Sequence, residues 1–130
     1  MSRATCSPDE NIVRAVTSAH WDPVENRVSS SLFKGENISV SRLEILPIHQ
    51  LFEIFNRELV KPPERSVVGA GEINVGRLQQ IGREFTHPLE LTVEHDPLPT
   101  NPAHAEIPQR ISKGLSKRII DDLVLHRYES

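Results

Sequence analysis

The residues that could do chemistry are concentrated in one short segment, Glu94 to Pro108. Its sequence, E-H-D-P-L-P-T-N-P-A-H-A-E-I-P, combines carboxylates, histidines and an asparagine with four prolines. Each proline fixes its own φ and pushes the preceding residue towards extended geometry, and Asp-Pro and Asn-Pro pairs start turns. The composition predicts a stiff polar loop, neither helix nor regular strand, that holds functional groups on a folded scaffold. The alternative interpretation is a rigid connector with solvated side chains.

Acid–base chemistry is one use for such a segment. His104 could act as a general base near neutral pH, and Glu106 would point the same way if the chain is extended. Arg42 could steady an anion, so the candidate catalytic residues are His104, Glu106 and Arg42. These residue types would suit a hydrolase or transferase that acts on a phosphate ester or nucleotide. The chain has no G-x-S-x-G motif, and the sequence leaves open whether the protein is an enzyme.

Recognition is the other use, because a stiff loop beside an exposed strand suits partner binding. The candidate binding residues are Asp96, Asn101, His95, Ser30 and Lys34. The first hypothesis is a small binding or accessory protein that uses the Asp96–Pro108 loop and the neighbouring strand. The alternative is the hydrolase or transferase with His104 as general base. We expect a protein as the partner, with a small-molecule ligand as the second option.

A metal site was weighed on the same segment. His95, Asp96, His104 and Glu106 are all competent ligands, but their spacing matches no zinc signature and the chain has one cysteine. The histidines could equally hydrogen-bond the proline-rich loop to itself. We therefore predict no metal and no cofactor.

Composition limits the class of protein. A chain of 130 residues, 37% apolar and 25% charged, is typical of one globular domain. The net charge of −3 argues against nucleic acid as a partner bound through bulk charge. The single cysteine, Cys6, favours a reducing cytoplasm. No signal peptide and no apolar run of about 18 residues is visible, so no membrane association is expected.

Periodicity and turn residues predict the elements that must position the segment. Arg27–Lys34 and Ile38–Ile45 resemble two strands of a hairpin joined by Gly35-Glu36-Asn37. Amphipathic spacing predicts a helix over Leu46–Val60, stopped by Pro62-Pro63, and a last helix over Ser112–His126. The other predicted elements are a strand at Asn11–Val16, a short helix capped by Asn74 and an edge strand at Ala105–Ile107.

These elements predict a single α+β domain, with a small, mostly antiparallel sheet and about three helices packed on it. The domain is expected over residues 11–126. Residues 1–10 are expected to be a flexible N-terminal tail, and residues 127–130 a C-terminal tail.

Three motifs carry a resemblance: S-S-S-L-F-K at Ser29–Lys34, S-V-S-R at Ser39–Arg42 and D-P-L-P-T-N-P-A-H-A-E-I at Asp96–Ile107. Over residues 11–125 the chain resembles a group of small uncharacterised bacterial proteins with a D-P-x-P-x-N-P-A-H-A-hydrophobic segment near the C-terminus. The resemblance implies a bacterial, cytoplasmic domain. It carries no catalytic residues to this chain.

Overall fold

The computed structural model describes residues 3–60 and 66–128, and within them the chain forms strands and helices around one main sheet. The three α-helices are α1 (Ile48–Glu58), α2 (Val75–Glu84) and α3 (Lys113–Ile120). The strands are β1 (Asn11–Thr17), β2 (Trp21–Asp22), β3 (Arg27–Val28), β4 (Ile38–Arg42), β5 (Val67–Asn74), β6 (Glu94–His95), β7 (His104–Ile107) and β8 (Val124–Arg127).

The main sheet has six strands in the order β6-β7-β4-β1-β5-β8, and every pair in it is antiparallel. Strands β2 and β3 form a separate two-stranded sheet. This architecture confirms the predicted single α+β domain with a mostly antiparallel sheet and three helices. Among the described residues, none of the helices is long and apolar enough to cross a membrane.

The two faces of the main sheet are covered differently, because successive side chains of a strand point to opposite faces. Ile12 of β1 and Val40 of β4 belong to the larger core, which α2 and α3 complete. On the opposite face, Val13 and Ala70 pack with Leu51 of α1 in a smaller core. Helix α1 therefore lies over the β1–β5 part of that face, next to the β4–β7 part.

Helix α2 begins as the sequence predicts, and its cap ties it to the N-terminal segment. The side-chain oxygen of Asn74 accepts from the amide of Arg77 at 2.9 Å, and its amide group donates to the carbonyl of Pro8 at 3.0 Å. Ser112 caps α3 through one bond, from the amide of Leu115 at 3.2 Å. The Asn74 cap thus holds two parts of the chain together, whereas the Ser112 cap holds only its own helix.

We expect Asn74→Ala to lower the free energy of unfolding by about 2 kcal/mol and Ser112→Ala by about 1 kcal/mol, the upper end and the middle of the range for lost caps. The difference arises because only Asn74 also binds the carbonyl of Pro8. Urea unfolding followed by circular dichroism measures both values. An equal or larger loss for Ser112→Ala would contradict the structural role assigned to Asn74.

The predicted hairpin between Arg27–Lys34 and Ile38–Ile45 is wrong. Strand β3 pairs with β2, while β4 pairs with β1 and β7. The reason is that Leu32 and Phe33, two consecutive residues, are both fully buried, which a strand with one covered face cannot achieve. The chain turns instead, with the amide of Leu32 donating to the carbonyl of Ser29.

The predicted last helix over Ser112–His126 is also too long. Helix α3 ends at Ile120, the chain turns at Asp121-Asp122, and β8 follows along β5. Val124 is β-branched, which favours a strand, and it pairs with Glu72 of β5. The spacing of the apolar residues fitted the period of a helix and the period of a strand, so the pairing of β8 with β5 decided between the two.

Residues 3–10 differ from the flexible tail that we expected. The segment lies along β6: Thr5 forms a bridge with Glu94, and the amide of Cys6 donates to the carbonyl of Val93 at 2.8 Å. At the other end, the predicted tail position Arg127 belongs to β8. Residues 1–2 and 129–130, and the predicted helix stop at Pro62-Pro63, lie outside the described residues.

Candidate functional site

The Glu94–Pro108 segment is a β-hairpin with a polar turn. Its ends are regular strands, since Glu94 pairs with Glu106, and this corrects the expectation of a loop without strands. Leu98 and Asn101 exchange two backbone hydrogen bonds of 3.0 Å across the turn. Strand β7 also pairs with β4, so the predicted edge strand at Ala105–Ile107 lies inside the sheet. The segment therefore turns tightly between Leu98 and Asn101.

Four polar residues of β4 and β7 share one face of the sheet beside α1. Ser41 is the partner of His104, and Ser39 is the partner of Glu106 in the β4–β7 register. Ser41 is also the partner of Val13, whose side chain packs against α1, so all four side chains lie on the α1 side. We call Ser39, Ser41, His104 and Glu106 the polar sheet face.

His104 is the buried centre of this face, with 8% of its surface exposed. Its Nδ1 lies 2.7 Å from the backbone carbonyl of Asp96 and 3.3 Å from the Oδ2 atom of the Asp96 carboxylate. Its Nε2 lies 3.1 Å from the Oγ of Ser39. The imidazole is therefore fixed on both sides, with a hydroxyl at one nitrogen and oxygen acceptors at the other.

Three carboxylates lie at the outer end of the polar sheet face and share one arginine. Arg3 contacts Glu106 at 2.8 Å, Glu94 at 2.9 Å and Asp96 at 3.5 Å. The hydrogen bond to Glu106, followed by that to Glu94, raises the pKa of Arg3 above its ordinary value. Asp96, His104 and Glu106 offer ligand atoms within 4.8 Å of one another, so these three residues could hold a divalent cation. Arg3 already supplies positive charge to the two carboxylates of this group, Asp96 and Glu106.

Arg42 and His95 lie on the opposite face from His104. Arg42 is paired with Ile12, whose side chain belongs to the larger core, and it forms two hydrogen bonds with Glu10, of 2.7 Å and 2.8 Å. Its third nitrogen lies 3.1 Å from Nδ1 of His95. The structure therefore does not bring Arg42 together with His104 and Glu106. These contacts give Arg42 and His95 a structural place between the N-terminal segment and the sheet.

The remaining predicted binding residues are divided between the site and other surfaces. Asn101 belongs to the site, because its side-chain amide donates to Ser41 at 3.0 Å and its oxygen accepts from the amide of Ala103 at 3.0 Å. Ser30 lines a different cleft, of about 310 Å³, together with Trp21. Lys34 is exposed in the turn before β4. The structure thus brings Asp96, Asn101, His104 and Glu106 together in one hairpin and places Ser30 and Lys34 elsewhere.

A cleft of about 350 Å³ opens between the polar sheet face and α1. Ile54, Phe55 and Leu59 of α1 form an apolar wall, and Leu98 of the hairpin turn contributes to the rim. The lining also includes polar residues from the sheet and the turn: Arg14, Thr17, His20, Ser39, Ser41, Glu58, Thr100, Asn101 and His104. Its volume and its mixture of apolar walls with a few polar groups fit a small-molecule site.

Arg14 lines this cleft where β1 and β4 separate, and its side chain leaves β1 on the face opposite to that of Val13 and Ala15. Strands β1 and β4 pair only at Ile12 with Arg42 and at Val13 with Ser41. Beyond this point the Arg14 side chain donates to the carbonyls of Leu32 and Ser39, at 2.7 Å each. No carboxylate among the residues that the structure describes pairs with Arg14, and burial lowers its pKa to about 10. The guanidinium is thus charged at neutral pH without a counter-charge.

Comparison of the chain with protein-family models, curated proteins and solved structures finds no match.

Ser39, Ser41, Arg14 and Arg3 belong to this site and were not among the predicted site residues. A signal for Ser39 was present, because the alternation S-V-S in Ser39–Ser41 places two hydroxyls on one face of a strand. A signal for Arg14 was also present, since it interrupts the apolar strand I-V-R-A-V, and a charge in such a strand needs a specific partner. Arg3 carried no comparable signal, because it lies in a polar segment whose pairing with β6 is non-local.

Proposed function

We propose that the protein binds a small organic carboxylate in the cleft between the polar sheet face and α1. The observation that carries the proposal is Arg14, a half-buried arginine that lines the cleft and has no carboxylate partner in the described chain. Burial removes part of the interaction between the Arg14 guanidinium and water. An anion bound against the guanidinium would replace this interaction, since opposite charges attract more strongly away from water. Arginine presents paired N–H groups that match a carboxylate.

The shape and chemistry of the cleft narrow the ligand. The wall formed by Ile54, Phe55 and Leu59 suits an apolar tail, and a single guanidinium matches a single negative charge. Glu58 also lines the cleft and would disfavour a ligand with a second negative charge nearby. A monocarboxylate with a short hydrocarbon chain combines these properties better than a phosphate monoester does.

The proposal gives a specific ligand class to the first hypothesis from the sequence, in which the Asp96–Pro108 segment and a neighbouring strand make the recognition surface. The segment supplies Leu98, Asn101 and His104 to the cleft, and β4 supplies Ser39 and Ser41. The expected protein partner stays a prediction, as does the cytoplasmic location that the single cysteine favours.

Amide-resolved NMR with added hexanoate tests the proposal. We expect saturable shifts of residues that line the cleft, with a Kd of about 1 mM or tighter for a ligand of this size. Hexanol, which has the same chain without the charge, should produce much weaker shifts. Equal responses to hexanoate and hexanol, or hexanoate shifts centred on the Trp21 cleft, would contradict the proposal.

A further inference from the structure

The contacts of His104 identify which of its nitrogens carries the proton. A backbone carbonyl only accepts hydrogen bonds, so the 2.7 Å contact with the carbonyl of Asp96 requires a proton on Nδ1 of His104. In a neutral imidazole, Nε2 then has a free lone pair and accepts. The hydroxyl of Ser39, 3.1 Å from Nε2, must be the donor in this bond. His104 is therefore oriented to take a proton from Ser39.

The Asp96 carboxylate adds a negative charge behind the imidazole. Its Oδ2 atom lies 3.3 Å from Nδ1 of His104, where it would stabilise the imidazolium that forms when Nε2 takes a proton. The backbone amide of Asp96 donates to the carbonyl of His104 at 3.0 Å, which holds the two residues in register. Ser39, His104 and Asp96 thus form a line of hydroxyl, base and carboxylate, the arrangement that activates a serine nucleophile.

The location of Ser39 gives this arrangement access to a substrate. Ser39 is exposed on the wall of the cleft, and its own carbonyl accepts from Arg14 at 2.7 Å. Arg14 is therefore bound to the backbone of the residue whose hydroxyl His104 would activate. Ser41, on the same face, is buried and its hydroxyl accepts from the side chain of Asn101 instead of a base. Only one of the two neighbouring serines has a proton acceptor.

We propose that the cleft hydrolyses carboxylic esters, with Ser39 as nucleophile and His104 as general base. The proposal rests on the proposed function, because the carboxylate bound beside Arg14 would be the product of the reaction. It extends that function from a ligand to a substrate class, the ester of a small monocarboxylic acid.

The reaction balances without a cofactor. Ser39 Oγ bonds to the acyl carbon as its proton passes to Nε2 of His104, and the electron pair of the C=O π bond moves onto the acyl oxygen. The ester C–O bond breaks, and the leaving alkoxide takes the proton from His104. Water then attacks the acyl carbon and gives one proton to His104. The bond between the acyl carbon and Ser39 Oγ breaks, Oγ takes that proton from His104, and the acid releases its remaining proton to solvent. The carboxylate product remains beside Arg14 until it leaves.

The first test is covalent labelling of the full chain by a fluorophosphonate, followed by peptide mass spectrometry. We expect an adduct on Ser39 that is absent from Ser39→Ala and unchanged in Ser112→Ala, because Ser112 caps α3 and does not line the cleft. His104→Gln should slow labelling by at least about a hundredfold, the lower limit for loss of a general base. No adduct on Ser39, or equal labelling rates in His104→Gln, would overturn the proposal.

The second test separates this inference from the binding function and from a structural role. Hydrolysis of p-nitrophenyl hexanoate should disappear in Ser39→Ala. Asp96→Asn should lower kcat with little change in KM, because Asp96 positions His104 and does not touch the ester. If the wild type binds hexanoate but neither labels nor hydrolyses, the catalytic inference fails alone. If Ser39 labels without hexanoate binding, the proposed function fails instead.

Discussion

Replacing Arg14 with Gln is expected to weaken hexanoate binding by about 10- to 150-fold. The substitution removes a charge-assisted hydrogen bond, worth about 1.5–3 kcal/mol, and each 1.4 kcal/mol corresponds to about a tenfold change in Kd. The effect is large because Arg14 pairs with no carboxylate among the described residues, so the ligand is its counter-charge. NMR titration of the variant with hexanoate measures the change.

The controls separate charge from structure. Arg14 also donates to the carbonyls of Leu32 and Ser39, so urea unfolding must show that each variant is folded. Arg14→Lys keeps the charge but loses the paired N–H groups, and its affinity should fall between wild type and Arg14→Gln. Lys113→Gln removes an exposed charge on α3 and should leave Kd unchanged. Wild-type affinity in folded Arg14→Gln would rule out Arg14 as the ligand's anchor.

Replacing Glu10 with Ala is expected to lower the free energy of unfolding by about 3 kcal/mol, near the lower limit for breaking a buried ion pair. Glu10 is 5% exposed and binds Arg42 through both carboxylate oxygens. Its loss leaves the Arg42 guanidinium half-buried, with only the His95 nitrogen as a side-chain partner. Urea unfolding of Glu10→Ala, compared with wild type at neutral pH, measures the loss.

The same pair predicts acid sensitivity. The hydrogen bond from Arg42 lowers the pKa of Glu10 despite the opposing effect of burial. A carboxyl group with a lowered folded-state pKa stabilises the fold above its unfolded pKa of about 4.3, and this contribution is lost as the pH falls through the folded value. Stability should therefore fall more steeply below about pH 4 in wild type than in Glu10→Gln.

Two variants test the origin of the effect. Glu90→Ala, which breaks an exposed pair with Arg83, should change stability far less than Glu10→Ala, because exposed pairs contribute little. The double variant Glu10→Leu with Arg42→Met should be more stable than Glu10→Ala, since it leaves no charge without a partner. An equal loss in Glu10→Ala and Glu90→Ala would contradict the structural role of the Glu10–Arg42 pair.

Local pattern predicted the parts of the fold that local interactions decide. The apolar stripe of Leu51, Phe52 and Phe55 predicted α1, and the side chain of Asn74 predicted the start of α2. The prediction of β4 as half of a hairpin with its preceding segment was wrong, because β4 pairs instead with β7, more than sixty residues later in the chain. Non-local pairing leaves no local signal beyond an alternation that several partners could satisfy.

In the candidate site too, the residues that lie close together in the chain were predicted, and the residues that non-local pairing brings in were not. Asp96, Asn101 and His104 come together because they lie in one hairpin, and the prolines and turn residues of that hairpin indicated its stiffness. Ser39 and Arg14 reach the site through the β4–β7 register and through the separation of β1 from β4. Placing Arg42 beside His104 failed because a shift of one residue along a strand reverses the face of a side chain.

Side-chain nitrogen NMR of the histidines, at a pH where the imidazoles are neutral and with and without hexanoate, tests the central claim most directly. We expect His104 to carry its proton on Nδ1, with Nε2 facing the cleft, and hexanoate to shift its Nε2 signal. His126, whose Nε2 contacts Glu72 at 2.6 Å, should carry its proton on Nε2 and remain unchanged as an internal control. A proton on Nε2 of His104 would contradict this assignment. So would an Nε2 signal of His104 that does not shift with hexanoate while the signal of His126 does.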